Sequence, residues 1–269
     1  MDTKTKNMND YTTLVTGDKM PIYGLGTSGI PLEITKNVVK AAVKSGYRLI
    51  DTANDYGNEP QIGQAIKELI DEGVVKRDDL FIQCKLFSAN HRKEFVSIDL
   101  METLKDLQLE YVDSYIMHWP HACPGGGKIP GLRKNGYHQD HHSKGTMFQL
   151  DDEGYYTSDT ETRFIETWKA MEEMKDKGLA KTIGLSNFNI RQMRELLENC
   201  KHHPAINQCE CHPYLQQKDL IDFCKNNKIF FQAYSPLGHN VTEIKEGWTK
   251  TSPGVSLMKE AKICNLLFL

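Results

Sequence analysis

Long hydrophobic runs are missing from this 269-residue sequence: no stretch approaches the roughly 18 consecutive apolar residues that a membrane-spanning helix requires. A basic excess is missing as well. Lys+Arg total 33 against Asp+Glu 36, a formal net charge of −3, so the chain lacks the phosphate-neutralising surplus of a nucleic-acid-binding protein. The cysteines (Cys84, Cys123, Cys200, Cys209, Cys211, Cys224 and Cys264) are odd in number, scattered and never spaced as C-x-x-C. That pattern suggests neither a disulfide framework nor a zinc ribbon and fits a reducing compartment. The first residues, Met1-Asp-Thr-Lys-Thr-Lys-Asn7, are polar with no apolar segment behind them, so a cytoplasmic location is expected. Low-complexity tracts are absent, and 26% charged with 9% aromatic residues is ordinary globular usage, which excludes disordered, collagen-like and membrane-embedded classes.

What is present is an alternation of short apolar runs with amphipathic stretches, the pattern of βα units around a parallel sheet. After a hairpin expected over Tyr11 to Val15 with its turn at Gly17-Asp18, strands are predicted at Ile22–Leu25, Tyr47–Asp51, Leu80–Leu86, Val112–Met117, Thr182–Leu185, Ala205–Cys209 and Ile229–Tyr234. Helical spacing joins Ile34, Val38 and Ala42; Ile62, Ile66 and Leu69; Leu100, Leu104 and Leu107; Ile165, Trp168 and Met171; Ile190, Met193 and Leu197; and Leu220 with Phe223. Gly46 and Gly178 stand where helix C-caps belong. A length of 269 suits one barrel domain over 1-269. The segment 119-160 holds no sustained period, is far longer than an ordinary βα loop, and is expected to be an active-site loop.

Gly24-Leu25-Gly26-Thr27-Ser28-Gly29 matches the dinucleotide fingerprint G-x-G-x-x-G, and Asp51 follows at a suitable distance. Two details argue against that reading. The preceding strand is short and carries Pro21 straight after a turn, and Pro31 marks a helix start beyond the third glycine. Without a helix N-terminus at the glycines the pyrophosphate cradle is missing.

Polar residues close the predicted strands. Asp51 ends one, with Tyr56 just beyond it; Lys85 sits inside Leu80-Phe-Ile-Gln-Cys-Lys-Leu-Phe87, where an ammonium is rarely buried without a carboxylate; His118 ends a third, beside Trp119. At one barrel mouth these four residues make an acid catalyst. The lysine cation would lower the tyrosine pKa, the aspartate would keep the lysine charged, Tyr56 would donate a proton, and neutral His118 would orient a carbonyl. Hydride would have to come from a bound cofactor.

With these residues the sequence resembles the aldo-keto reductase family, of the aldose reductase and NADP-dependent aldehyde reductase type. The motifs are Gly24-Leu-Gly-Thr27, Asp51-x-Ala-x-x-Tyr56-Gly-Asn-Glu59, Lys85, His118-Trp-Pro120, Gly184-Leu-Ser-Asn-Phe188, Asn207-Gln-Cys-Glu-Cys-His-Pro-Tyr214 and Ala233-Tyr-Ser-Pro-Leu-Gly238. The resemblance implies a (β/α)8 TIM barrel with no Rossmann domain and NADPH-dependent reduction of aldehydes and ketones. Tyr56 would be the general acid, tuned by Lys85 and Asp51, with His118 orienting the substrate. Thr27, Asp51, Ser186, Asn187, Gln208, Tyr234, Ser235 and Leu237 would bind the cofactor, with Tyr234 stacked on the nicotinamide. Ser28 and Trp119 would line the substrate pocket, Ser28 replacing a bulkier aromatic.

The resemblance fades after Gly238, and Ser256 to Leu269 reads as an amphipathic helix, so the eighth βα unit is expected to be missing and the chain to be a C-terminally truncated form. A monomer is expected, with open barrel edges as a route to self-association. Two alternatives follow: a catalytically impaired isoform that binds cofactor weakly, and a metal-dependent barrel hydrolase using His138, His141 and His142 or Cys209-Glu-Cys-His212. No tetrahedral ligand spacing supports the second, and no metal is expected.

Overall fold

The computed structural model describes residues 10–124 and 158–238. It opens with an antiparallel hairpin, β1 (Tyr11–Thr13) and β2 (Lys19–Pro21), as the sequence predicts. Seven parallel strands follow, hydrogen-bonded in chain order: β3 (Gly24–Gly26), β4 (Leu49–Asp51), β5 (Phe81–Leu86), β6 (Val112–Met117), β7 (Ala180–Ser186), β8 (Ile206–Glu210) and β9 (Phe230–Tyr234). Among the described residues one α-helix lies between each consecutive pair: α1 (Leu32–Lys44), α2 (Glu59–Asp71), α3 (Lys93–Leu107), α4 (Phe164–Asp176), α5 (Ile190–Leu197) and α6 (Lys218–Asn226).

Two bonds show that the sheet curls into a barrel. Gln83 Nε2 on β5 donates to Gln232 Oε1 on β9 at 2.8 Å, and Gln208 Nε2 on β8 donates to Asp51 Oδ1 on β4 at 3.0 Å. In each case the strands are four places apart, which in a flat sheet would separate them by about 19 Å. Period-2 alternation sorts the side chains. Ile50, Ile82, Cys84, Leu86, Tyr115, Met117, Ile183 and Leu185 point outward and pack under the helices, with Ile62, Ile66, Leu104, Trp168, Met171 and Met193. Inside, Leu49, Phe81 and Ile206 form a separate apolar cluster with Leu14 and Met20, so the hairpin plugs the N-terminal end of the barrel.

The helix ends follow from local chemistry. Past α1, Gly46 takes φ +105°, and Gly46 and Tyr47 donate backwards to the carbonyls of Val43 and Ala42, the Schellman pattern. Gly178 repeats it past α4, at φ +74°. One face is shifted from the sequence reading: α1 buries Thr35, Val39 and Val43, while Ile34 is exposed and Val38 and Ala42 are half-buried. Thr35 takes an interior place because its hydroxyl is within bonding distance of the carbonyls of Ile30 and Pro31. The rejected dinucleotide fingerprint is also explained, since α1 begins at Leu32, after Gly29 and Pro31, and offers no helix N-terminus to the glycines.

The ends of the 119-160 segment are pinned together. Asp159 N donates to the Ala122 carbonyl at 2.9 Å, Cys123 N to the Ser88 carbonyl at 2.9 Å, and Arg92 Nε reaches Asp159 Oδ2 at 2.8 Å. Residues 125–157 between them lie outside the described residues, as do the expected loss of an eighth unit and the helix expected over 256–269. Among the described residues no helix is long and apolar enough to cross a membrane.

Candidate active site

Parallel strands in a barrel end at one mouth. Asp51 is the last residue of β4, Lys85 lies one short of the end of β5, His118 follows β6 and Ser186 ends β7. Tyr56 is carried by a short 3-10 helix, Asn54–Tyr56, which Gly57 terminates at φ +69°. Asn58 secures this turn: its Nδ2 donates to the Thr27 carbonyl at 2.8 Å and its Oδ1 accepts from Thr52 Oγ1 at 3.4 Å, tying the loop after β4 to the loop after β3.

The Lys85 ammonium has three N–H groups and three acceptors: Asp51 Oδ2 at 2.5 Å, the Thr52 carbonyl at 3.1 Å and the Tyr56 hydroxyl at 3.0 Å. All of them are buried, and Lys85 is only 1% exposed. Burial alone pulls the ammonium pKa down; the adjacent Asp51 charge and hydrogen bond reverse this and hold the lysine pKa above its ordinary value. Because Lys85 donates to the phenolic oxygen, the hydroxyl's own proton is not spent on the lysine.

The expected lowering of the Tyr56 pKa is corrected. Lys85 does pull it down, but burial outweighs the lysine and Asp51 and Asp55 push the same way as burial, so the phenol goes up to about 12. Tyr56 is therefore held protonated.

His118 stands beside this group, its ring 5.7 Å from the Tyr56 ring in an edge-on arrangement, with Trp119 stacked at 6.2 Å on the imidazole. Its Nδ1 lies 3.3 Å from Asp55 Oδ1. Burial disfavours the Asp55 carboxylate, yet the neighbouring His118 and Lys85 outweigh it and bring that pKa below the usual value.

The second set of predicted residues meets the first. Asn187 Nδ2 donates to the His118 carbonyl at 3.0 Å and approaches Ser186 Oγ at 3.1 Å; Tyr234 OH donates to Asn187 Oδ1 at 3.0 Å. Gln208 joins through Asp51, and Thr27 through its hydroxyl, 2.9 Å from the Asp51 carbonyl. Asn187 and Ser235 adopt φ +63° and +47°, left-handed backbone that costs a non-glycine residue energy and clusters at functional sites. Ser235 and Leu237 lie in the turn after β9, half-buried, and Ser28 is exposed on the loop after β3.

The sequence reading missed Asp55, Asn58, Gln83 and Gln232. Gln83 left a visible signal: it is polar within an apolar run and lies two places before Lys85, hence on the same face of β5. Asp55 stood inside the Asp51-to-Glu59 motif as an unremarked position, and Asn58 was quoted in that motif without a role. His138, His141 and His142 lie outside the described residues, and among the described residues no three His, Cys, Asp or Glu side chains converge on a metal-sized site.

Comparison with known proteins agrees with this architecture. The sequence profile of the Aldo/keto reductase family matches residues 22–250. The chain is 44% identical over 230 residues to aldo-keto reductase family 1 member A1 of Gallus gallus, covering 85% of this chain and 64% of the relative. The match to the Homo sapiens member A1 is 43%, again over 64% of its length, and that to member C1 of Macaca fuscata fuscata is 40%, over 72%. Among solved structures, aldose reductase from Schistosoma japonicum superposes with a TM-score of 0.76 at 35% identity, covering 87% of this chain and 71% of that one. A parallel barrel entered from a plugging hairpin, a matching family profile across most of its length and relatives above 40% identity place this chain in the aldo/keto reductase family.

Proposed function

We propose that this protein reduces aldehydes and ketones to alcohols with NADPH as hydride donor. The observation that carries the reading is the fully satisfied Lys85 ammonium, which binds Asp51 and Tyr56 at once and leaves a protonated phenol at the barrel mouth beside His118. An alkoxide formed there takes its proton from Tyr56, whose phenol burial keeps protonated beside a histidine able to hold the carbonyl oxygen.

The donor set fits a nicotinamide carboxamide. Ser186 supplies a hydroxyl and Asn187 and Gln208 supply amides at adjacent strand ends, while the Tyr234 phenol is fixed by Asn187 and leaves an aromatic face for stacking. When bound, NADPH supplies the hydride that reaches the carbonyl carbon. Thr27, Asp51, Ser235 and Leu237 complete the wall of this proposed site, and Trp119 and Ser28 border the substrate side. The barrel over 1-269, with the 119-160 segment as its active-site loop, is taken as the working unit, a cytoplasmic monomer.

Titration of the 269-residue chain with NADPH, followed by quenching of tryptophan fluorescence, and NADPH consumption with a panel of simple aldehydes test the proposal together. Tyr56→Phe should bind NADPH as the wild type does and lose about 10²–10⁴-fold in kcat, the usual contribution of a general acid. Unchanged turnover in Tyr56→Phe would refute the assignment, and weak NADPH binding with little turnover in the wild type would favour the impaired-isoform reading.

A further inference from the structure

Beneath the mouth, the barrel interior carries a polar layer that the proposed chemistry does not use. Gln83 on β5 and Gln232 on β9 are 0% and 1% exposed, directly above the apolar plug of Leu49, Phe81 and Ile206. Amides there cost free energy to bury unless their bonds are made. Four bonds form a closed square, while Gln83 Oε1 and Gln232 Nε2 are buried with no hydrogen-bond partner among the described residues. Gln83 Nε2 donates to Asp51 Oδ1 at 2.7 Å and to Gln232 Oε1 at 2.8 Å; Gln208 Nε2 donates to the same two oxygens, each at 3.0 Å.

The orientation of every amide in the square follows from one fact. An ionised Asp51 only accepts, so the atoms facing it on Gln83 and Gln208 must be NH2 groups; the atom of Gln232 that both then share must be its oxygen. Each NH2 has two hydrogens, and both are used. Gln208 therefore cannot flip without losing two bonds at once, and its Nε2 is held inward while its Oε1 is the group left to accept a bond from a ligand. With Gln83 and Gln208 both on Asp51 Oδ1, the other oxygen is kept for Lys85.

We infer that Gln83 and Gln232 are positioning residues: by locking the Gln208 amide with its oxygen outward, they set the acceptor that recognises the N–H of the cofactor's carboxamide, and they tie this acceptor to the Asp51–Lys85–Tyr56 proton donor. This rests on the NADPH reading above and goes beyond it, since neither residue touches substrate or cofactor.

The test compares the affinity of NADPH with that of its 3-acetylpyridine analogue, which keeps the carbonyl and lacks the carboxamide N–H. The wild type should prefer NADPH by about fivefold, the worth of one modest hydrogen bond. Gln232→Met and Gln83→Met should bring the ratio toward one, and Gln232→Glu, which keeps an acceptor for both NH2 groups, should restore it. A merely structural role would change stability or both affinities alike and leave the ratio where it was. NADPH binding with the wild-type ratio retained in folded Gln83→Met and Gln232→Met overturns this inference alone. Failure of the wild type to bind NADPH overturns the functional reading and this inference with it.

Discussion

Removing the Lys85 ammonium should separate what the buried pair contributes to stability from what it contributes to chemistry. In Lys85→Met the Asp51 carboxylate stays buried, 5% exposed, and keeps only the two amide donors on Oδ1. Breaking a buried pair by deleting one partner costs about 3–5 kcal/mol, and the two surviving donors place this case near the lower end. With a urea dependence of about 2–3 kcal/mol/M, the unfolding midpoint should fall by about 1 M. Asp51→Asn in the same chain removes the stranded charge while its amide oxygen can still accept from Gln83 and Gln208. The double variant should therefore regain about 2 kcal/mol over Lys85→Met. Activity should behave differently. Both variants lose the cation that holds the Tyr56 hydroxyl and opposes the upward push of burial on its pKa, so both should lose about 10²–10⁴-fold in kcat. Urea unfolding by tryptophan fluorescence alongside aldehyde-dependent NADPH consumption reads both quantities. A double variant no more stable than Lys85→Met would show that the cost is not an uncompensated carboxylate, and a double variant with wild-type turnover would show that the lysine is not part of the proton donor.

Two further outcomes concern stability. His91 is 1% exposed, neither ring nitrogen has a hydrogen-bond partner among the described residues, and burial, helped by the His121 and His118 charges, pushes its pKa down to about 3. Its neutral form is kept in the fold while the unfolded chain takes up a proton below pH about 6.5, so its contribution is complete above that pH and is lost at about 1.4 kcal/mol per unit as the pH falls toward 3. Urea titrations at stepped pH should show this slope, and His91→Phe should flatten it; an equally steep acid limb in the variant would refute the assignment. In the middle of α2, a Cβ on Gly63 would lie 2.5 Å from the Asp106 carbonyl oxygen and 2.6 Å from the Leu107 carbonyl carbon on α3. Glycine to alanine inside a helix ordinarily stabilises by about 0.5–1 kcal/mol. Gly63→Ala should instead destabilise by about 2–3 kcal/mol, because backbone cannot move aside as a side chain can, and a raised thermal midpoint would contradict the close approach of α2 to α3.

Much of the barrel is carried by local signals. The apolar runs of β5 and β6, the 3.6-residue spacing of α2 and α3, and the glycines past α1 and α4 are properties of short segments, so they show in the sequence, and their ends move by a residue or two. The displaced face of α1 shows where local reading fails: Ile34 is the more apolar residue, but Thr35 is buried because the loop before the helix offers its hydroxyl two carbonyls. The pairing of Lys85 with Asp51 was legible because a lysine inside an apolar strand demands a carboxylate, and Asp51 stands at the end of the preceding strand.

By itself, then, the sequence determined the order of strands and helices, the plugging hairpin, the lysine–aspartate–tyrosine–histidine set and the irrelevance of the glycine fingerprint. Only the tertiary structure decided the electrostatic balance at Tyr56, where burial defeats the nearby cation, and the bonds from Asp51 to Gln208 and from Gln83 to Gln232, residues 157 and 149 positions apart in the chain. Desolvation is a sum over everything that surrounds a group, and a bond across a barrel depends on where the sheet closes. Neither quantity exists until distant segments are brought together.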